Sequence, residues 1–167
     1  AILHNIKKER TEAIAVLDSA EVRFGKDSYL SRVRQQIYLD GGESQKAIKS
    51  ALKSVEEAPY EPMNHIALAD VYATIGADSL ADISYNNAIR LDNTDPTSWF
   101  EYAGFLDNRK RYTELLLVWR NVIELENVAE ETIDIYIDLA AQDGSGRKAT
   151  RIFTSKLPKD KLLITGL

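Results

Sequence analysis

One spacing, 34 residues, runs through the chain and constrains its fold more than any local motif. Ala13, Ala47, Ala81 and Ala149 stand at multiples of 34 from one another, and Leu115 fills the remaining slot. Glycines keep the same interval at Gly42, Gly76 and Gly144, with Lys110 in the missing place. Four positions after each alanine slot stand Leu17, Ala51, Tyr85, Trp119 and Phe153, all large except Ala51. Pro62 and Pro96 repeat the period once more. Several columns sharing one period and one phase define a repeat architecture.

Within each period the pattern reads helix, glycine turn, helix. Pro62 suits a first helical turn, where its missing N–H costs nothing. Ile66, Leu68, Ala69, Val71 and Tyr72 then follow at helical apolar spacing. Gly76 and Asp78 break that helix, and Leu80 to Leu91 form a second, with Ala81, Tyr85 and Ala88 along one face. The stretch from Pro96 to Leu125 repeats the scheme around Arg109-Lys110-Arg111. Residues 1–25 read as the end of a first helix, a turn at Lys8-Glu9-Arg10, and a complete second helix. No alternation long enough for a sheet occurs. A helix pair of this kind cannot bury its apolar face alone, so neighbouring pairs stack around a shared core. The expected fold is an all-α, right-handed superhelical solenoid of antiparallel helix pairs.

The motif His65-x-x-Leu68-Ala69-x-x-Tyr72, followed by Ala81-x-x-x-Tyr85-x-x-Ala88, resembles the tetratricopeptide repeat. Trp99-x-x-Tyr102-Ala103-x-x-Leu106 with Leu115-x-x-x-Trp119 matches the same signature more loosely. On this reading the chain is a single solenoid domain: a half repeat at 1–27, repeats at 28–61, 62–95, 96–129 and 130–160, and a tail at 161–167. Starting inside a repeat, it reads as a piece of a longer repeat protein. Leu162 to Leu167 form an apolar end that either caps the last repeat or begins a further element.

The resemblance implies a concave groove, lined by first helices, that binds a peptide or protein segment. Its positions here would be Arg32, Gln36, Ile66, Asp70, Phe100, Asp107, Asn108, Asp134 and Asp138, with Tyr29, Met63 and Thr74 beside them. Only Arg32 among these is basic, which speaks against the basic clamp by which one subclass grips a C-terminal carboxylate. Charge follows position along the chain: residues 1–58 carry a net +1, residues 59–146 a net −11 and residues 147–167 a net +5. Asp134 and Asp138 stand i,i+4, an arrangement that costs about 0.2–0.5 kcal/mol on a helix unless a cation answers it. These acids, with Ile66 and Phe100 as apolar anchors, point to a basic protein segment as partner. The competing account is an ordinary solvated face.

Chemistry beyond binding finds no support. There are no cysteines, and the two histidines, His4 and His65, lack the spacing of a helical zinc motif. His65, Trp99 and Trp119 fall on packing columns. Asp143-Gly144-Ser145-Gly146 lacks the closing glutamate of a calcium loop and reads as a turn. No phosphate loop or nucleophile elbow is present, so the expectation is a non-catalytic scaffold or adaptor without metal or cofactor. No apolar run reaches the ~18 residues of a membrane span, and a net charge of −5 disfavours nucleic acid. Two alternatives stay open. One is an RNA-processing scaffold with half-a-TPR-like repeats, using basic Arg147, Lys148, Arg151 and Lys156. The other is a homo-oligomer in which that basic end docks on the acidic middle of another copy.

Overall fold

The computed structural model describes residues 2–25 and 27–125. Among them are seven helices and no strand: α1 (Ile2–Phe24), α2 (Ser28–Asp40), α3 (Ser44–Glu57), α4 (Pro62–Thr74), α5 (Asp78–Leu91), α6 (Pro96–Asn108) and α7 (Tyr112–Glu124). Two compact units divide the chain, residues up to Glu101 and residues from Tyr102, the division falling inside α6.

Local chemistry sets the helix ends. The Asp27 carboxylate accepts from the Tyr29 backbone N–H at 2.7 Å and so caps the otherwise unpaired donors at the start of α2. Pro62 and Pro96 open α4 and α6. The 34-residue period reappears in the backbone hydrogen bonds at the end of each first helix. Glu43, Ala77 and Arg111 donate N–H to the carbonyls of Tyr38, Tyr72 and Leu106. One residue earlier, Gly42, Gly76 and Lys110 donate to Leu39, Ala73 and Asp107. This is the Schellman closure, and it needs a left-handed residue at its centre. Gly42 and Gly76 supply it at φ 70° and 79°. Lys110 adopts it at φ 56°, the only non-glycine residue with positive φ among those described. The glycine column is therefore a backbone requirement, met once by a lysine.

In the unit up to Glu101, α1 packs on α2, α2 on α3, α3 on α4, and α4 on α5, while α2 also touches α4. First helices thus meet one another as well as their second helices. Ala47, Ala51, Leu68 and Val71 form a buried cluster, with Tyr38, Leu39, Ile48, Val55 and Tyr72 packed around it. Ala47, Ala51, Ala81 and Ala88 are fully buried, so the small-residue columns lie where helices approach closely. In the unit from Tyr102, the buried side chains among the described residues are Tyr102, Ala103, Phe105 and Leu106 of α6, and Leu115, Leu116, Val118, Trp119 and Val122 of α7.

The expected turn at Lys8-Glu9-Arg10 is not formed: α1 runs unbroken through it. Lysine, glutamate and arginine are good helix formers, no glycine or proline interrupts them, and Lys8 reaches Glu12 at 3.7 Å one turn on. Arg34 of α2 ties this long helix down by pairing with both Asp18 and Glu21 of α1.

Candidate functional site

The unit up to Glu101 carries a polar cluster whose charged groups come from α2, α4 and α6. Arg32 of α2 places one guanidinium nitrogen, Nη2, 3.0 Å from Oδ2 of Asp70 on α4 and 3.8 Å from Oε1 of Glu101 on α6. Tyr85 of α5 donates its hydroxyl to Oδ1 of Asp70 at 2.7 Å. Both oxygens of Asp70 are therefore used. Arg32, Asp70 and Glu101 are each about one-third exposed, so the cluster lies at the surface with its floor in the protein.

Burial dominates its electrostatics. Desolvation raises the Asp70 carboxyl above its ordinary range, although the Tyr85 hydroxyl and the Arg32 charge pull it down. Glu101 is raised as well, by burial and then by the neighbouring Asp70 charge. Burial also pushes the Tyr85 phenol upward, with Asp70 adding to the effect, so Tyr85 stays protonated as a donor. Two carboxylates share one guanidinium, and the cluster keeps one excess negative charge.

Arg32 and Asp70 also line a cleft of about 230 Å³ between α2 and α4. Val33, Gln35, Gln36, Leu39, Ala67 and Val71 complete its wall. Gln36 is exposed and donates to Asp40 at 2.6 Å. Gln35 is only 2% exposed, and its side-chain N–H group has no hydrogen-bond partner among the described residues.

The structure brings together three of the nine groove residues read from sequence: Arg32, Gln36 and Asp70. Phe100 is 40% exposed on α6, next in sequence to Glu101. Ile66 is a correction to its reading as an anchor: at 0% exposure it belongs to the interior. It fails because α4 is packed by α2, α3 and α5 at once, leaving little of its surface free. Asp107 and Asn108 are exposed at the end of α6, in the other unit. Asp134 and Asp138 lie outside the described residues, as does the basic stretch from Arg147 onward.

Sequence reasoning missed Tyr85, Glu101 and Gln35. Tyr85 carried a usable signal: in a column of Leu17, Ala51, Trp119 and Phe153 it alone bears a hydroxyl, and a buried phenol needs an acceptor. The packing residues fare as expected in kind. Trp119 is buried, and half-buried Trp99 donates its indole N–H to the Asn93 carbonyl at 3.1 Å. His65 Nε2 lies 2.9 Å from the Pro59 carbonyl, which fixes the ring on the preceding loop.

Paired helices repeating at 34 residues, with a shared turn closure, define the fold of tetratricopeptide repeat proteins, and solved structures agree. MamA superposes with a TM-score of 0.60 over 95% of this chain and 93% of its own, at 15% identity. A tetratricopeptide repeat protein from Parabacteroides merdae gives 0.56 over 91% of this chain and 61% of its own, at 17% identity. In sequence, the type IV pilus assembly protein PilF of Pseudomonas aeruginosa is 35% identical over 77 residues, 46% of this chain. That match spans 31% of PilF. No family model matches the chain. Among the described residues, no helix is long and apolar enough to cross a membrane.

Proposed function

We propose that the chain is a non-catalytic scaffold that binds a peptide or protein segment along the face formed by α2, α4 and α6. The observation that carries this reading is the cluster of Arg32, Asp70 and Glu101, in which three successive first helices present charged groups at one partly exposed surface. Exposed Phe100, the residue before Glu101 on α6, supplies an apolar contact of the kind that anchors interfaces. The repeat boundaries at 28–61, 62–95, 96–129 and 130–160, with a half repeat at 1–27, belong to the same proposal. The likeness to a pilus assembly protein over 77 residues supports a role in assembling other proteins.

A display selection of random dodecapeptides against the intact chain tests the reading. The selected peptides should lose roughly tenfold or more in affinity, about 1.4 kcal/mol, for a Gln36→Lys, Phe100→Ala variant of unchanged melting temperature. Unchanged affinity would remove this face from the binding surface.

A further inference from the structure

The side of α2 turned away from the Arg32 cleft carries a different chemistry. Arg34, Ile37, Tyr38 and Gly41 follow one another at helical spacing and line the gap between α1 and α3, which both pack on α2. Two clefts of about 520 and 310 Å³ open there, and they share Tyr38 and Lys46. Lys7 and Arg10 of α1 and Lys46 of α3 line the larger one, against a single carboxylate, Glu43. Lys46 is bonded to Glu43 and holds its carboxyl below the usual range, with smaller contributions from the charges of Arg10 and Lys7. Lys7 and Arg10 are therefore in excess, and neither has an ion pair among the described residues. The second observation concerns how Arg10 is held. Gly41 has an ordinary right-handed backbone at φ −81°, so its conformation does not call for glycine. A Cβ there would stand 2.6 Å from Nη1 of Arg10, and its absence is what lets the guanidinium lie against the turn. Nε of Arg10 is buried without a partner. Packing, not a carboxylate, holds this cation at the cleft, and its charge is left unanswered.

We propose that the furrow between α1 and α3 docks an acidic segment of a partner protein, its carboxylates meeting Lys7 and Arg10 at one end and Lys49 further along. Lys46, Lys49 and Lys53 line the furrow one turn apart on α3. Their row spans about 10 Å at about 1.5 Å per residue, the reach of about three extended residues. Ile14, Ile37 and Tyr38 offer apolar contact between the charges. Nucleic acid fits less well, because the furrow does not stay basic. Arg34 is spent on Asp18 and Glu21, and Lys53 lies 3.9 Å from Glu57. A continuous phosphate backbone would run onto these carboxylates, whereas a short acidic segment ends before them. None of these residues belongs to the Arg32 cluster or its cleft, so the two sites stand or fall separately.

The test titrates the intact, ¹⁵N-labelled chain with Ac-Glu-Ala-Glu-Ala-NH₂ and its neutral counterpart Ac-Gln-Ala-Gln-Ala-NH₂. The acidic peptide should shift the amide signals of Gly41, Glu43 and Lys46 saturably, and bind about fivefold more tightly than the neutral one. Added salt should erode that preference, and Arg10→Gln should remove most of it. Gly41→Ala gives the sharper reading, because it keeps every charge and an allowed backbone yet displaces the Arg10 guanidinium. The expected result is a loss of affinity about as large as in Arg10→Gln, at an unchanged melting temperature. Equal binding of the two peptides, or unaltered affinity in either variant, would overturn the docking site. A uridine dodecamer that displaces the acidic peptide and binds more tightly would overturn the choice of a protein segment. Self-association of the chain, abolished both by Arg10→Gln and by the acidic peptide, would overturn it too and give the furrow to a second copy.

Discussion

Lys8 and Lys110 stand three periods apart in the same glycine column, and the chain treats them oppositely. At Lys8 it continues as helix, inside the 23 residues of α1. At Lys110 it turns, with φ at 56° and the same closure that Gly42 and Gly76 make. A lysine in the left-handed region costs about 1–2 kcal/mol, so the residue itself does not ask for the turn. What differs is the flanking sequence. Phe105 and Leu106 before Lys110, and Leu115 and Leu116 after it, are buried. Their burial is available only if the chain breaks into two helices there, and it outweighs the local strain. Lys8 is followed by helix-favouring Glu9, Arg10 and Glu12, and its neighbours Lys7 and Glu9 are exposed. Burial on both sides of a position, rather than the residue at it, decides whether this period turns.

The largest expected effect tests that burial directly. Leu115 takes the slot occupied elsewhere by Ala47 and Ala81, yet all three are buried to about the same degree. If it were merely a permissive filler, Leu115→Ala would restore the column at little cost. The expectation is the opposite: a loss of about 2–5 kcal/mol in denaturant unfolding, as for other buried leucines replaced by alanine. A cost near zero would mean that α7 is not held by its buried face, and the explanation of the Lys110 turn would go with it.

A middle-sized effect concerns a second column with two outcomes. Asn64 is buried and donates to the carbonyls of Ser54 and Ala58 at 3.0 and 3.1 Å, closing the end of α3. One period on, Ser98 is 1% exposed and its hydroxyl has no partner among the described residues. Asn64→Ala should cost about 1–3 kcal/mol, because it removes two hydrogen bonds made by a buried side chain. Ser98→Ala should be close to neutral, since it removes a hydroxyl that satisfies nothing. Melting curves of the two variants side by side check this, and equal losses would show that Ser98 has a partner after all.

These columns also mark how far sequence carries. The period, the helix starts at Pro62 and Pro96, and the turns at Gly42 and Gly76 were legible because each depends on nearest neighbours along the chain. The cluster was legible only in outline. Arg32 and Asp70 were placed on one surface, but their pairing depends on how α2 meets α4, which no intra-helix spacing encodes. Ile66 was misassigned for a related reason. With Ile66, Ala67, Leu68, Ala69 and Val71 all buried, α4 is apolar nearly all round, and its periodicity does not single out a solvent face. Gln35 is a polar residue buried at 2% exposure, a placement that its type does not announce.

The smallest effect is the most discriminating, because one substitution should act with opposite signs at the two lysines. At Lys110, glycine adopts the left-handed conformation without a Cβ penalty. It also loses more freedom on folding than lysine does, and that offsets part of the gain. The net expectation for Lys110→Gly is a stabilisation of about 0.5–1 kcal/mol. At Lys8 the backbone is ordinary helix, so glycine brings only the entropic penalty, about 0.8–1 kcal/mol in a helix interior. It also removes the Lys8–Glu12 pair, worth about 0.2–0.5 kcal/mol. Denaturant unfolding reads the first change, and amide exchange along α1 reads the second as faster opening around residue 8. If Lys8→Gly instead induced a turn there, seen as two separately protected helical segments, the column would be dictating local structure after all. Flanking burial would then be the weaker of the two influences on where this repeat bends.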